Sequence, residues 1–224
     1  MDPDPGMERI LEPEVMDTPD EAEAYAAMDH SVPNAAFVDR LQALGARGRM
    51  LDLGTGPGHI PLEVCARDPN ARVLGVDLAD TMLSLARRLV DASPDADRIE
   101  LRRMDVTALS LPDASFDAVF SNTILHHIPD PAAFLREAGR VLRPGGVLLI
   151  RDLFRPELQE TLDALVAQYA AHDDPTQREL FRASLHAALT PDELRSTARE
   201  AGLQGFEVTI DSDRHASIQI AAPR

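Results

Sequence analysis

The hydrophobic and polar positions between residues 50 and 152 follow one repeating order: a short apolar run, then a stretch with the periodicity of an amphipathic helix. Short apolar runs bounded by polar or glycine residues predict buried strands. Strands that alternate with helices in this way predict an α/β protein whose parallel sheet is covered by helices on both faces. The strands predicted in this region are 50–53, 72–77, 99–105, 116–121 and 147–152.

The last third of the chain has a different pattern, because the strand rhythm stops after residue 155. Three stretches there begin at a proline, which is favoured in the first turn of a helix, and Gly202 ends the third as a C-cap. The predicted helices are 156–171, 175–187 and 191–201. Two further strands are predicted at 205–210 and 216–222.

The beginning of the chain differs again. Residues 1–19 contain four prolines and several acids, which predicts a disordered start. Helical periodicity follows at 20–28 and 34–44. We therefore expect an N-terminal helical cap over residues 1–45 and a larger domain over residues 46–224.

A glycine-rich loop directly follows the first predicted strand. Residues 50–58 read Met-Leu-Asp-Leu-Gly-Thr-Gly-Pro-Gly, and a helix is predicted to begin at His59. Glycines at such a turn let the backbone bring its N–H groups close to a ligand. A dinucleotide fingerprint has its third glycine three residues after the second, and that position here is His59. The spacing therefore disfavours an NAD-type oxidoreductase, which stays the weaker alternative.

Acidic residues close the next two predicted strands. Asp77 ends the second strand, where a carboxylate can accept hydrogen bonds from both hydroxyls of a ribose. The alternative role for Asp77 is helix capping, but we expect Asp80 to cap that helix and to leave Asp77 for a ligand. Asp105 follows the third strand, and its alternative role is that of a turn residue.

The ordered series of these motifs resembles the class I S-adenosylmethionine (SAM)-dependent methyltransferases. The segments 122–130, Asn-Thr-Ile-Leu-His-His-Ile-Pro-Asp, and 134–146 extend the resemblance, which is to the small-molecule enzymes that include the quinone-biosynthesis (methyltransferase-11) group. It implies a Rossmann-like sheet of seven strands, mostly parallel with the last antiparallel, and a helical lid inserted at about 154–189. It also implies that SAM and the product S-adenosylhomocysteine (SAH) bind, without a metal.

The resemblance further assigns cofactor contacts. Asp52 orients the amino group of the ligand, Asp105 binds the adenine amino group, and the backbone N–H of Val106 meets the adenine ring. Leu78 and Met82 are expected to face the core, with packing of Leu78 on the adenine as the alternative. The complete set of expected cofactor residues is Asp52, Gly54, Thr55, Gly56, Gly58, Asp77, Leu78, Met82, Asp105, Val106, Asn122, His127 and Tyr25.

The candidate catalytic residues are His126, Asp152 and His215, which follow the fourth, fifth and sixth predicted strands. Two consecutive side chains cannot point the same way, and the resemblance directs His126 to the acceptor and His127 to SAM. An alcohol, phenol or carbon acid must lose a proton, whereas a thiolate or neutral amine needs only alignment. The acceptor atom therefore stays open among oxygen, nitrogen, sulfur and carbon. Adjacent histidines lack the usual ligand spacing, so no metal is expected.

The charge of the chain limits the classes of molecule that it is expected to bind. The net charge is −16 and no lysine is present, whereas nucleic-acid enzymes carry a basic patch that neutralises phosphates. We therefore expect a small-molecule acceptor and no nucleic acid. No apolar stretch predicts membrane insertion or a signal peptide, and Cys65 is the single cysteine, so we expect a cytoplasmic protein, monomer or homodimer. A SAM- or SAH-binding regulatory protein without turnover is the other alternative.

Overall fold

A computed structural model of the chain describes residues 7–12 and 31–223. The strands are β1 (Arg49–Leu53), β2 (Arg72–Asp77), β3 (Ile99–Arg103), β4 (Phe116–Asn122), β5 (Leu142–Leu153), β6 (Glu207–Ile210) and β7 (His215–Ile220). The α-helices are α1 (Ser31–Ala43), α2 (His59–Arg67), α3 (Asp80–Asp91), α4 (Pro131–Val141), α5 (Gln159–Tyr169), α6 (Pro175–Ala187) and α7 (Pro191–Glu200). Short 3-10 turns lie at Ala96–Arg98 and Leu125–His127.

The strands form one seven-stranded sheet in the order β3-β2-β1-β4-β5-β7-β6. Strands β1 to β5 pair in parallel, and β7 is antiparallel to both of its neighbours. The predicted α/β sheet with an antiparallel last strand is therefore confirmed. Because the parallel strands share one direction, their carboxyl ends meet at one edge, which we call the carboxyl edge.

Both faces of the sheet are buried, which explains why its strands read as continuous apolar runs. One face packs Phe116 and Leu148 against α4 and α7. The other face packs Phe120 and Leu149 against α1 and α2, with the rings of Phe37 and Phe120 6.1 Å apart. The core on both sides fixes the strand ends that carry the site.

Several predicted boundaries are shifted by a few residues, and the hydrogen bonds explain two of these differences. Helix α5 begins at Gln159 rather than at residue 156, because Phe154 N donates to Arg214 O (2.9 Å) and Arg155 N donates to Leu189 O (3.2 Å), which holds the chain extended. Strand β5 begins before residue 147, because Leu142 pairs with Phe116 across an irregularity in the β4–β5 ladder.

Helices α5 and α6, called the helical pair below, follow β5 and share a small apolar cluster. Its buried members include Leu162, Leu165 and Leu185, with Leu153 of the strand beneath them. Phe181 packs against the same cluster. The helical pair therefore has a core of its own above the carboxyl end of β5. The predicted helix at 20–28 lies outside the described residues.

Candidate functional site

The glycine-rich loop is held by hydrogen bonds to the neighbouring strand. Gly54 N and Thr55 N both donate to Val76 O at 2.9 Å. Gly56 N donates to Asp77 Oδ2 at 2.8 Å. The loop therefore wraps the carboxyl end of β2, and the motif predicted from the sequence has become a turn between β1 and α2.

At two positions of this loop, the absence of a side chain has different structural consequences. A Cβ on Gly54, whose φ is +73°, would lie 2.5 Å from a methyl carbon of Ile124. A Cβ on Gly56, whose φ is +51°, would meet no atom of the described residues within 4 Å. Gly54 is therefore required by protein packing, whereas the space beside Gly56 is open and able to receive a ligand.

Asp77 uses both carboxylate oxygens to organise the loops around it. Besides accepting from Gly56, it accepts from Ala79 N at 3.0 Å through Oδ1. The expectation that Asp80 caps the following helix is wrong, because Ala79 is the N-cap residue and no side chain caps it. Asp80 instead lies 3.3 Å from Arg103. Asp77 thus orders the turn between the glycine loop and α3, and its role in ribose binding stays a prediction.

A buried carboxylate lies under the glycine loop. Asp52 is 1% exposed, and its Oδ2 and the hydroxyl of Thr55 have no hydrogen-bond partner among the described residues. Burial raises the pKa of Asp52 to about 7, and the nearby charge of Asp77 adds to the rise. A buried acceptor without a donor is costly, so this position suits a cationic or hydrogen-bonding ligand group.

The apolar and acidic residues after β2 and β3 divide between core and surface. Met82 is buried beside Ala79, as expected. Leu78 is 45% exposed, so the expectation that it faces the core is wrong and the alternative, packing on a ligand, stands.

Asp105 Oδ1 accepts from both the N–H and the hydroxyl of Thr107, while Val106 is buried in the core. These bonds lower the pKa of Asp105, which keeps it anionic.

The carboxyl ends of β4 and β5 hold a buried ion pair. His126 and Asp152 are each 3% exposed, Nδ1 of His126 lies 2.6 Å from Oδ1 of Asp152, and the His126 backbone N donates to Oδ2 at 3.1 Å. Burial alone would lower the pKa of His126, but the Asp152 carboxylate raises it overall. Burial alone would raise the pKa of Asp152, but His126 lowers it overall. Both shifts favour the charged pair.

The neighbouring histidine has a carboxylate partner of its own. Nδ1 of His127 lies 2.6 Å from Oε2 of Glu12, and the rings of His126 and His127 are 4.0 Å apart. The hydroxyl of Ser184 in α6 donates to Oε1 of Glu12 at 2.6 Å. Burial would raise the pKa of Glu12, but His127 and Ser184 lower it overall.

Residues 7–12, called the strap below, carry Glu12 to this position. Arg9 donates from Nε to Ala187 O at 2.6 Å and from a terminal nitrogen to Ile128 O at 3.0 Å. Arg155, itself only 3% exposed, donates to Met7 O at 2.8 Å. The strap therefore joins the helical pair to the turn at Leu125–His127, which we call the histidine turn. The expected disorder does not extend to these residues.

Nothing in the sequence pattern indicated the roles of Glu12, Arg9 and Arg155. Their contacts join distant parts of the chain, 178 positions apart in the Arg9–Ala187 bond and 148 in the bond from Arg155 to Met7. The sequence offered one signal: an arginine among apolar residues is costly to bury unless hydrogen-bond or charge partners surround it. That signal does not say which partners.

Glu12, His126 and His127 also form a group of the kind that binds metal ions. Their ligand atoms lie within 4.8 Å of one another, although no metal was expected from the adjacent histidines. Both imidazole Nδ1 atoms already face carboxylates, at 2.6 Å each. Each Nδ1 therefore already has a carboxylate partner.

His215 and Arg151 lie beside this site in a different environment. The Ser212 hydroxyl is 3.1 Å from Nδ1 of His215, and burial lowers the pKa of His215 to about 4, with Arg151 adding to the fall. A histidine with this pKa is a weak base at neutral pH. Arg151 points away from Asp152, as expected for its neighbour in a strand, and lies 3.6 Å from Asp211.

The turn that leaves β4 is strained. Thr123 has a φ of +64°, which is a rare conformation for a β-branched residue. Its N–H donates to Arg151 O at 2.8 Å, and the Asn122 side chain faces the same arginine at 3.4 Å. Such strain is typical of functional sites. Tyr25, the remaining expected cofactor residue, lies outside the described residues.

Comparison with known proteins gives this geometry a context. A family model described as a methyltransferase domain matches residues 51–150. The chain is 34% identical over 171 residues to the ubiquinone biosynthesis O-methyltransferase of Xanthomonas axonopodis pv. citri, which covers 76% of this chain and 67% of that protein. It is 32% identical over 171 residues to the 27-O-demethylrifamycin SV methyltransferase of Amycolatopsis mediterranei, which covers 75% of this chain. The chain spans only 59% of that relative's length.

The fold has close counterparts among solved structures. A SAM-dependent methyltransferase from Aquifex aeolicus matches with a TM-score of 0.68 at 19% sequence identity, over 90% of this chain and 97% of that one. At this identity the match shows the shared fold. Across residues 7–12 and 31–223, no helix has the length and apolar character needed to cross a membrane.

Proposed function

Because the chain belongs to the class I SAM-dependent methyltransferase family, we propose that it transfers the methyl group of SAM to a hydroxyl oxygen of a small-molecule acceptor. The single observation that carries the choice of oxygen is the Asp152–His126 pair at the carboxyl edge, with its 2.6 Å contact at Nδ1. A carboxylate at Nδ1 leaves Nε2 as the nitrogen that can take a proton, which is the arrangement of an Asp–His general base.

The residues of the first three strands suit the cofactor. Asp52 offers a buried acceptor to a cationic amino group, and such a cation would favour its anionic form. Gly56 leaves open space, and the exposed side chain of Leu78 provides an apolar surface beside Asp77. When bound, SAM supplies a methyl group on a positively charged sulfur, an intrinsically good leaving group. The protein's main task is then alignment, which can contribute roughly 7–11 kcal/mol.

The histidine side of the carboxyl edge suits an acceptor that must lose a proton. A hydroxyl has to be deprotonated as its oxygen attacks the methyl carbon, and a positioned base typically contributes about 10²–10⁴-fold to the rate. A thiolate or a neutral amine needs no such base. The names of both relatives describe O-methyltransferases, which agrees with this choice without defining the acceptor.

The proposal predicts a dependence of the rate on pH. The Asp152 carboxylate raises the pKa of His126 above 6.5, which extends the pH range in which the ring is protonated, and a protonated imidazole cannot act as a base. Turnover should therefore rise with pH through the raised pKa of His126. Methylation of an amine or thiol that needs no base would not follow that titration.

Calorimetry and transfer of a labelled methyl group test the proposal together. SAM and SAH should bind at low micromolar dissociation constants or tighter, on the order of −7 to −9 kcal/mol, and NADH should not bind. Labelled SAM should then methylate members of a panel of phenols and alcohols in preference to matched thiols and amines. Binding of NADH without SAM would contradict the family activity, and preference for amines or thiols would contradict the acceptor class.

A further inference from the structure

Two carboxylate–histidine pairs lie side by side at the carboxyl edge. In each pair a carboxylate oxygen lies 2.6 Å from Nδ1 of the imidazole, Asp152 with His126 and Glu12 with His127. The two rings are 4.0 Å apart. Two imidazolium ions at this separation would repel each other, so each ring needs its own carboxylate to carry a positive charge there.

The two pairs differ in exposure and in the segments that build them. His126 and Asp152 are 3% exposed; His126 lies in the turn after β4, and Asp152 lies in the adjacent strand β5. The His127 side chain is 30% exposed, so it is the more exposed of the two histidines. Its partner comes from the strap, and the strap is fastened to α6 through Ser184 and through the Arg9–Ala187 bond.

We propose that Glu12 is a positioning residue that sets the orientation and tautomer of His127, and that it does so only while α6 is docked on the strap. The inference rests on the proposed function, since it assigns the second histidine pair to the same acceptor site. Glu12 accepts the Nδ1 proton, so the lone pair of the neutral ring lies on Nε2. Nε2 of His127 can then accept a hydrogen bond from the acceptor and orient it, while His126 takes the proton of the hydroxyl.

Helix α6 contacts the second carboxylate oxygen of Glu12, and this contact couples the helix to His127. Ser184 donates to Oε1 while Oε2 faces His127, so one carboxylate joins a helix of the helical pair to the histidine turn. Movement of α6 away from the turn would remove a donor from Glu12 and release the carboxylate. The orientation of His127 would thereby depend on closure of the helical pair.

Imidazole ¹⁵N spectra of the full chain saturated with SAH test this directly. In the wild-type chain, neutral His127, assigned by its loss in His127→Asn, should carry its proton on Nδ1. Glu12→Ala should move the proton to Nε2, so that the two ¹⁵N shifts exchange positions. Glu12→Gln, which keeps an acceptor oxygen, should retain the Nδ1–H form. Glu8→Ala, an exposed glutamate on the same strap, is the matched control and should leave the spectrum unchanged.

Ser184→Ala provides the second variant, because it leaves Glu12 in place and removes only the contact to α6. It should increase Nε2–H character at His127 and raise hydrogen exchange in 175–187 above the level of the Glu8→Ala control. An unchanged tautomer in Glu12→Ala would overturn the inference, and an unchanged tautomer in Ser184→Ala would overturn the coupling to α6. SAH calorimetry on the same samples distinguishes failure of the proposed function from failure of this inference. Absence of SAH binding would contradict the proposed function, whereas the tautomer of His127 decides the role of Glu12.

Discussion

The two halves of the carboxyl edge are built in opposite ways. The glycine-loop half relies on backbone N–H groups and on hydrogen-bond partners at most 22 positions apart, as between Gly54 and Val76. The histidine half relies on side chains from the strap, the turn after β4, the end of β5 and α6, with contacts that span up to 178 positions. The first half is therefore a local structure, whereas the second exists only when distant segments have assembled.

The halves also differ in charge. The glycine-loop half contains a buried carboxylate, Asp52, with an oxygen that has no donor in the part of the chain that the structure describes, and a ligand can supply that donor. The histidine half satisfies its carboxylates internally, through the contacts of Asp152 with His126 and of Glu12 with His127. A substitution in the first half should therefore mainly affect ligand affinity, and one in the second should mainly affect folding and proton transfer.

The largest expected effect is that of Asp152→Asn in the histidine half. Removing one partner of a buried ion pair costs about 3–5 kcal/mol of the free energy of unfolding. Asp113→Asn, whose carboxylate is exposed and pairs with Arg140 at the surface, should cost at most about 1 kcal/mol. Chemical denaturation at pH 5.5 measures both. Equal losses in the two variants would contradict the difference drawn between buried and exposed pairs.

The same variant predicts a dependence of stability on pH. The folded pKa of His126 is raised above 6.5, so its contribution is complete below pH 6.5 and is lost as pH rises through the folded value. The folded pKa of Asp152 lies below 3.8, so its contribution is complete above pH 3.8 and is lost as pH falls through the folded value. The difference between wild type and Asp152→Asn should therefore be largest between these pH values and should shrink at pH 9.

Gly54→Ala and Gly56→Ala sharpen the contrast within the glycine loop. Gly54→Ala should lower the free energy of unfolding for two reasons. The left-handed conformation costs an alanine about 1–2 kcal/mol, and the clash of its Cβ with Ile124 costs about 1–3 kcal/mol. Gly56→Ala should cost only about 1–2 kcal/mol of stability, because its Cβ enters open space. It should nevertheless weaken SAH by at least about tenfold, or about 1.4 kcal/mol. Calorimetry that finds full SAH affinity in Gly56→Ala would show that no ligand occupies this space.

Asp77→Ala should weaken SAH by about 2–3 kcal/mol, since ribose hydroxyls lose a charged acceptor. Because Asp77 also accepts from Gly56 N and Ala79 N, stability should fall as well, by about 1 kcal/mol. Asp80→Ala is the control, as its carboxylate lies on the surface beside Arg103. Titration calorimetry and thermal melts together separate the two losses. Wild-type affinity in folded Asp77→Ala would reduce Asp77 to a turn residue.

The smallest expected effect comes from relieving strain at the two ends of β4. Thr123 has a φ of +64° and Ala114 a φ of +49°, and glycine removes that strain at either position for a net gain of about 1 kcal/mol. Only Thr123 borders the site. Thr123→Gly should weaken SAH by about two- to fivefold, or about 0.5–1 kcal/mol, whereas Ala114→Gly should not. Equal SAH affinities in the two variants would indicate that the strain at Thr123 has no functional role.

These contrasts also explain what the sequence could predict. The loop at 50–58 and the strand end at Asp77 were predictable, because their contacts are local and follow from the spacing of glycines and apolar residues. His126 and Asp152 were predictable as candidates from their places after strands. Their direct pairing was not predicted, since it depends on the register of β4 and β5.

The rest of the site lay beyond any local pattern. Glu12 lies in an acidic, proline-containing segment that has the composition of a disordered chain, and only its tertiary contacts give it an ordered position. Leu78 reads as a core residue from its apolar character, yet the turn after β2 directs it outward. Packing between distant segments decided the position of Glu12, and the direction of the turn after β2 decided that of Leu78.

The alternation of charge at the end of β5 has a consequence for folding. Arg151 lies near Asp211 on one side of the strand, and Asp152 contacts His126 on the other. A slip of β5 by one residue would turn both side chains to the opposite face. Arg151 would then approach an imidazolium and Asp152 would approach another carboxylate, two repulsive contacts in a buried setting. The alternating signs therefore favour a single alignment of the sheet against its nearest competitors before any ligand is present.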